Sequence, residues 1–474
     1  MKNKFYITTT LPYVNSDPHV GFAMEIIRAD VVARYHRNKG EEVFFNTGTD
    51  EHGIKIYQKA IENGETPKKY VDRYAEEFKK LKVALNLSYD NFVRTTDESH
   101  IEAAREFWKA CDAAGDIYKK QYKIKYCVGC ELEKTDSELV DGKCPLHTDR
   151  ELEIIEEENY FFRGSKYQQK LLDLYNANPD FVTPPSRLNE ITKFIERGLE
   201  DFSISRLKEK MPWGIPVPGD ENQVMYVWFD ALVNYIDVIG WPKNMETFNS
   251  WWPVVQYAGK DNLRQQSAMW QAMLMSANLP PSKRIIINGF ITSGGQKMSK
   301  SIGNVINPLD VVKEYGEDPL RYFLLREISA FEDGDFTMEH FKNAYNGNLA
   351  NGLGNLVSRV MKMSKTNLLE PINDLQPNIP TDYDSSFDNY NLNNAANIIW
   401  QHIGESDKYI QDNQPFKTVK VDPLKGKAQI QELVGKLYTI AVMLDPFLPK
   451  TAEAIKKCIA ENKTPAEPLF LRKD

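Results

Sequence analysis

The sequence predicts an α/β protein built on a doubly wound parallel sheet, with an insertion in its middle and a helical end. Three observations carry this. Short β-branched and aromatic runs alternate with helical stretches over residues 1–114 and again over 207–295, and such alternation gives parallel strands with helices on both faces. Between them, residues 115–206 hold paired cysteines and an aromatic strand. Beyond about residue 340 no strand pattern is left, so the chain should close in a helical bundle. A length of 474 residues leaves room for about two to four domains.

The composition, 42% hydrophobic and 27% charged, is that of an ordinary globular protein. A net charge of −8 from 59 basic and 67 acidic side chains does not announce a nucleic-acid partner. It does not exclude one, because phosphate contacts need only a local basic face. No apolar run is long enough to span a membrane. Residues 1–11 lack the apolar core of a signal peptide, and five cysteines are too few for a disulfide framework. A cytoplasmic location is the expectation.

Phe5 to Leu11 reads as a strand, broken by Pro12 to Pro18, and Val20 through Arg37 has helical spacing. His19-Val20-Gly21-Phe22 thus lies where a strand feeds a helix, whose N-terminus offers free N–H groups to phosphate. Gly21 lets a nucleotide approach the backbone, and His19 can donate to a phosphate oxygen. Val43 to Thr47 is a second strand. Gly48-Thr49-Asp50-Glu51-His52-Gly53 follows at its carboxyl end, where α/β sheets place ligands. Asp50 suits an α-amino group there, or caps a turn. Ile54 to about Leu85 and Asp97 to about Ala114 read as helices.

Cys127-Val128-Gly129-Cys130 and Cys144-Pro145-Leu146-His147 form two chelating pairs. Cys127, Cys130, Cys144 and His147 make a closed Cys₃His set for one structural zinc, and Cys111 and Cys458 fall outside it as core residues. Asn159 to Arg163 reads as a strand, Leu188 to Leu199 as a helix and Ser203 to Arg206 as a short strand.

In the second half, Val224 to Ala231 reads as a strand running into a helix that includes Tyr235. Val254 to Ala258 leads to Gly259-Lys260-Asp261, and Arg284 to Phe290 is another buried strand. Gly294-Gly295-Gln296-Lys297-Met298-Ser299-Lys300-Ser301 follows. Its glycines let a loop turn without a Cβ clash, and its two lysines sit three apart, separated by a Met and a small hydroxyl residue. Residues 341–367, 390–413 and 426–460 read as helices. The stretch 368–389, rich in Pro, Asn and Asp, reads as a connecting loop.

Lys297-Met298-Ser299-Lys300-Ser301 resembles the signature loop of class I aminoacyl-tRNA synthetases. His19-Val20-Gly21-Phe22 resembles their other signature, His-Ile-Gly-His, with Phe22 in place of the second histidine. With Leu11-Pro12-Tyr13-Val14-Asn15, Gly48 to Gly53, Tyr226 to Ala231, Gly259 to Asp261 and the single knuckle, the chain is similar to bacterial methionyl-tRNA synthetases over nearly its whole length. The competing readings are another class I synthetase, a nucleotidylyltransferase of the same fold and a non-catalytic tRNA-binding relative. Residues 115–206 are too short for the editing insertion of the branched-chain enzymes.

The resemblance implies a Rossmann-type catalytic domain (1–114 and 207–295), a zinc-bearing connective insertion (115–206), a loop and stem-contact region (296–340) and a helical anticodon-binding domain (341–474). It implies that methionine and ATP, accompanied by Mg²⁺, give methionyl-adenylate, and that the acyl group passes to tRNA(Met), initiator tRNA included. His19, Lys297 and Lys300 would be catalytic. ATP would meet His19, Gly21, Gly259, Lys260, Asp261, Lys297, Ser299 and Lys300. Methionine would meet Leu11, Tyr13, Asp50, Trp228, Tyr235 and Gln266, the last standing where the family commonly has histidine. Without the family, Trp228 and Tyr235 read equally as core. Asn355, Arg359 and Phe416 would read the anticodon. No tRNA-binding domain is appended after Asp474, so a monomer is the expectation.

Overall fold

The computed structural model describes residues 2–130, 132–134, 138–298 and 303–474. The first part runs β1 (Lys4–Thr8), α1 (Val20–Asn38), β2 (Glu42–Thr49), α2 (Ile54–Glu62), α3 (Pro67–Ala84), β3 (Asn91–Arg94) and α4 (Glu98–Ala113). The single helix expected from Ile54 to Leu85 is two. Gly64, at φ 66°, turns the chain, and Thr66 caps α3 by accepting from the Lys69 amide. Pro67 then sits in the first helical turn, where its missing N–H costs nothing.

The middle part holds β4 (Ile117–Cys127), β5 (Leu132–Lys134), β6 (Glu153–Phe162), α5 (Gln168–Ala177), β7 (Val182–Thr183), α6 (Pro185–Glu196), β8 (Phe202–Ser203) and β9 (Ser205–Leu207). The strand expected over Ser203 to Arg206 is thus divided at Ile204, which is fully buried. β4 and β6 pair antiparallel over most of their length, with β5 and β8 at the edges.

Next come β10 (Pro216–Val217), β11 (Asp220–Met225), α7 (Val227–Ala231), α8 (Asn234–Asp237), α9 (Met245–Trp251), β12 (Val255–Gly259), α10 (Trp270–Ser276) and β13 (Arg284–Asn288). The strand expected to reach Ala231 stops at Met225. The Phe229 and Asp230 amides bond the Tyr226 carbonyl at 2.8 and 3.2 Å, which starts α7 and buries Val227, Phe229, Asp230 and Ala231 together. That spacing is helical, not alternate.

The main sheet has the order β3-β2-β1-β12-β13-β7, and every pair in it is parallel. Its edge strand β7 comes from the stretch expected to be an insertion. The strand order turns between β1 and β12, which makes their carboxyl ends the switch point of the sheet.

The last part contains β14 (Ile291–Ser293), β15 (Gln296–Lys297), α11 (Pro308–Tyr315), α12 (Glu317–Tyr322), β16 (Gly334–Asp335), α13 (Met338–Ala344), α14 (Asn355–Asn367), α15 (Thr381–Asp388), α16 (Leu392–Asn413), α17 (Pro415–Val421), α18 (Pro423–Leu444) and α19 (Pro449–Glu461). The stretch expected as a plain loop contains α15, whose Phe387 stacks on Tyr35 at 3.8 Å between ring centres. The helix expected over 426–460 is two, parted at Asp445 to Leu448 around Pro446.

Two apolar cores lie on the two sides of the sheet. One joins α1, α3 and the helical end; the other joins α4, α7, α8 and α10. Arg321, fully buried, ties the first together. It pairs with Asp30 of α1 at 2.8 Å and donates to the Phe447 and Pro446 carbonyls at 2.7 and 2.9 Å. Among the described residues no helix is long and apolar enough to cross a membrane.

Candidate active site and metal centre

A cleft of about 490 Å³ opens at the switch point, lined among others by Leu11, Tyr13, His19, Asp50, Trp228 and Lys297. His19 caps α1: its Nδ1 accepts from the Gly21 amide at 3.0 Å. An accepting Nδ1 leaves Nε2–H as the donor of the neutral ring. Partial desolvation within the cleft, with Lys297 adding to it, holds the His19 pKa below the usual 6.5, so the ring is neutral at pH 7. Phe22, in the fourth position of this tetrapeptide, packs edge-on against Phe78 at 5.3 Å.

Asp50 follows β2, and backbone bonds clamp it to Tyr13: the Asp50 amide donates to the Pro12 carbonyl at 3.0 Å, and the Val14 amide to the Asp50 carbonyl at 3.2 Å. Glu51 anchors the loop, accepting from Arg94 at 2.7 and 2.8 Å and from Thr49 at 2.7 Å. Gly48 is required because a Cβ there would stand 1.8 Å from the Val93 carbonyl oxygen. Trp228 also lines the cleft. Tyr235 and Gln266 lie in a buried layer and do not line the cleft; the Gln266 amide donates to Tyr235 Oη at 2.8 Å. The neighbouring Gln265 does line it, and its buried Oε1 has no partner among the described residues.

At the other end, Gly259 and Asp261 line the cleft, while Lys260 is turned to Asp333 at 2.6 and 2.8 Å. β14 and β15 form a hairpin in which Gly294 and Gly295 take φ of 63° and 73°, a turn that demands glycine. It sets Lys297 opposite Thr292, and Asp335 braces it by accepting from the Gly295 amide at 2.9 Å. Met298 also lines the cleft. Ser299 and Lys300 lie outside the described residues.

Sequence reasoning missed Glu25, Arg28 and Asn288. Glu25 Oε1 accepts from the Thr10 amide at 2.8 Å and the Thr10 hydroxyl at 2.5 Å. Burial pushes its carboxyl up to about 8. The buried Arg28 guanidinium donates to Asn288 Oδ1 at 2.9 Å and to the Ser329 carbonyl at 2.6 Å. The unbroken helical spacing of α1 masks both charges, because nothing local marks their long-range partners.

The four ligand atoms of Cys127, Cys130, Cys144 and His147 lie within 4.8 Å of one another and could hold a metal ion. Gly129 lets them close up, since a Cβ there would fall 2.4 Å from the His147 ring. Gly129, Cys130, Leu146 and His147 line the cleft. The knuckle is clamped from two sides. Lys55 donates to the Gly129 carbonyl at 2.6 Å, and Arg264 pairs with Glu138 at 2.9 Å.

In the helical part, Asn355 is exposed at the start of α14, and Arg359 pairs with Asp407 at 2.8 Å. Phe416, in the first turn of α17, is 43% exposed.

Comparison with known proteins bears on the same regions. A family model described as tRNA synthetases class I (M) matches residues 5–154 and 146–361. Another, described as the anticodon binding domain of methionyl tRNA ligase, matches residues 364–468. A methionine--tRNA ligase of Thermotoga maritima is 41% identical over 490 aligned residues, 98% of this chain and 76% of that protein. One of Brucella suis is 40% identical over 478, covering 97% and 92%. The solved structure of Mycobacterium tuberculosis methionyl-tRNA synthetase in complex with methionyl-adenylate superposes with a TM-score of 0.90 at 35% identity, over 100% of both chains. The apo form of that protein gives 0.82 at 32% identity, over 100% of this chain and 99% of that one.

Proposed function

The chain belongs to the class I methionyl-tRNA synthetases, and from that premise we propose how its cleft does the chemistry. It is a methionine--tRNA ligase. Methionine and ATP give methionyl-adenylate and pyrophosphate, and the acyl group then passes to the 3′ end of tRNA(Met).

In our reading Asp50 holds the methionine ammonium group, and Leu11, Tyr13 and Trp228 surround the side chain, with Tyr235 and Gln266 as the layer behind. ATP lies across Gly21, Gly259 and Asp261. The methionine carboxylate attacks the α-phosphate, and the bond to pyrophosphate breaks. Negative charge then grows on oxygens that the neutral His19 Nε2–H and the Lys297 ammonium group stabilise, and Lys300, which lies outside the described residues, is expected to add a second ammonium group. No covalent enzyme intermediate is formed. Mg²⁺ bound with ATP would supply neutralisation of the phosphate charge.

Cys127, Cys130, Cys144 and His147 would hold one zinc ion. Ligand atoms at the usual Zn–S and Zn–N lengths lie about 3.5–3.8 Å apart in a tetrahedron. Cys130 Sγ to Cys144 Sγ at 3.4 Å, and His147 Nδ1 to the sulfurs of Cys130, Cys127 and Cys144 at 3.2, 3.8 and 4.0 Å, scatter around that figure. With four protein donors the ion is structural. Asn355, Arg359 and Phe416 would meet the anticodon, and the partition into two catalytic halves, insertion, loop region and helical domain is kept as our reading.

The observation that carries this reading is that His19 and Lys297, 278 positions apart in the sequence, line one cleft at the switch point together with Asp50. Pyrophosphate exchange measured with each of the twenty amino acids tests it. Exchange should depend on methionine alone. Exchange driven by another amino acid, or by none, would overturn it.

A further inference from the structure

One carboxylate joins the two walls that would enclose the amino acid. Asp50 lines the cleft from the loop after β2, and Trp228 lines it from α7. Two residues beyond each, the chain carries His52 and Asp230. His52 Nδ1 stands 3.0 Å from Asp230 Oδ2. The other oxygen, Asp230 Oδ1, is 3.3 Å from His100 Nε2 of α4, and His100 Nδ1 is 2.9 Å from Asp237 Oδ2 of α8. His52 is 5% exposed, while Asp230 and His100 are not exposed at all.

The charges fix the direction of these bonds. Burial works against a charged His100, but Asp237 and Asp230 outweigh it and raise its pKa to about 10. Both its N–H groups therefore donate at neutral pH. Burial likewise opposes an ionised Asp230, and His52 and His100 still hold it below the usual carboxylate value. Asp230 thus has both oxygens engaged by histidines and none left for a ligand. α7 spans only five residues, too few to hold its own geometry. The Tyr226 amide ties its start to the Ile204 carbonyl at 2.8 Å, and the His52–Asp230 contact is its side-chain link to the Asp50 loop.

Resting on the reading of Asp50 and Trp228 above, we propose that Asp230 is a positioning residue. Through His52, and braced by His100, it sets the separation of Asp50 from Trp228. The network therefore governs the fit of the amino acid and leaves the nucleotide end untouched.

The test is pyrophosphate exchange with methionine and ATP varied in turn. His52→Ala removes the link and should raise the KM for methionine about tenfold or more, the scale of a lost hydrogen bond to a charged group. The KM for ATP should stay within about twofold. His52→Asn, whose side-chain amide can stand in for Nδ1–H, should recover most of the loss. KM values that rise together, or a fall in thermal stability with both KM values unchanged, would overturn the proposal. Asp50→Ala separates the two possible failures. An unchanged methionine KM in both variants overturns the reading of the wall and the proposal with it. An unchanged value in His52→Ala alone overturns only the proposal. If His52→Ala does not fold, Asp237→Asn should give a smaller rise in the same KM, and no rise there counts against the proposal equally.

Discussion

Lys260 Nζ sits between the two carboxylate oxygens of Asp333, 2.8 Å from one and 2.6 Å from the other. Burial pushes the Asp333 carboxyl up, but Lys260 and the Phe290 amide outweigh this and leave it below its usual range. Lys260 also stands over the Phe290 ring at 4.3 Å. A partly exposed pair of this kind adds about 0–1 kcal/mol to stability; what it does is hold Lys260 away from the cleft that Gly259 and Asp261 line. Asp333→Ala should free the lysine for the nucleotide and lower the KM for ATP about 3–10-fold, the scale of one hydrogen bond, with the methionine KM unchanged. Kinetics with ATP varied check this; an unchanged value would make the pair a surface contact only.

Lys297 of the hairpin and Lys300, three residues on in the sequence, should act mainly in the transition state. Lys297→Ala and Lys300→Ala should each slow adenylate formation about 10²–10³-fold, as when a preorganised charge-stabilising donor is lost. Methionine affinity by calorimetry should hardly change, because Asp50 and Trp228 are untouched. Single-turnover rates within a few-fold of the unmodified enzyme would remove the loop from the mechanism.

Metal analysis should find about one zinc per chain, as a closed four-ligand site requires. Since Lys55 and Arg264 clamp the knuckle over the cleft, stripping the metal with a chelator should also weaken adenylate formation. Metal-free protein of full activity would detach the knuckle from the cleft's function.

Phe416 is exposed enough to stack on an unpaired base. Phe416→Ala should cost roughly 1–3 kcal/mol of tRNA binding and lower charging, while pyrophosphate exchange stays normal. Arg359→Ala should act the same way, though part of its effect will come from Asp407, left half-buried without its partner. Equal losses in exchange and charging would assign both residues to structure.

Glu25 gives a pH dependence of stability. Its folded pKa is about 8 against an ordinary 4.5, so between those values the folded chain holds a proton that the unfolded chain releases. Stability therefore falls as pH rises through this window. Glu25→Gln removes the decline, and the variant should gain about 1–3 kcal/mol on the parent between pH 4.5 and 8. Denaturant melts at both ends of the range check it. Parallel curves for the two proteins would show that Glu25 titrates normally.

Much of the site was legible because chemistry needs particular atoms in fixed order. The histidine at the start of α1, the glycines and lysines of the hairpin and the paired knuckle ligands each follow from local spacing. Glu25, Arg28 and Asp333 were not legible, since each takes its meaning from a partner far along the chain. The turn at Gly64 was written in the sequence as Gly before Thr-Pro and was overridden by the helical spacing on either side. α15 was hidden because Tyr383 and Phe387 bury a narrow face within a polar stretch. Tyr235 and Gln266 were placed with the cleft residues, but a sequence carries no measure of depth.

The short strand β7 makes the stretch between the two halves of the sheet impossible to excise. Val182 and Thr183 pair with Ile285 and Ile286 at the sheet margin, and the Phe181 carbonyl accepts from the Ile285 amide. A shortened chain joining residue 114 directly to 207 would leave β13 as a bare edge of three consecutive isoleucines with unanswered N–H and C=O groups. An edge of that kind recruits other chains. Engineering that trims this protein from the middle therefore trades size for aggregation, and any minimal version has to carry residues 181–183 with it or cap β13 by other means.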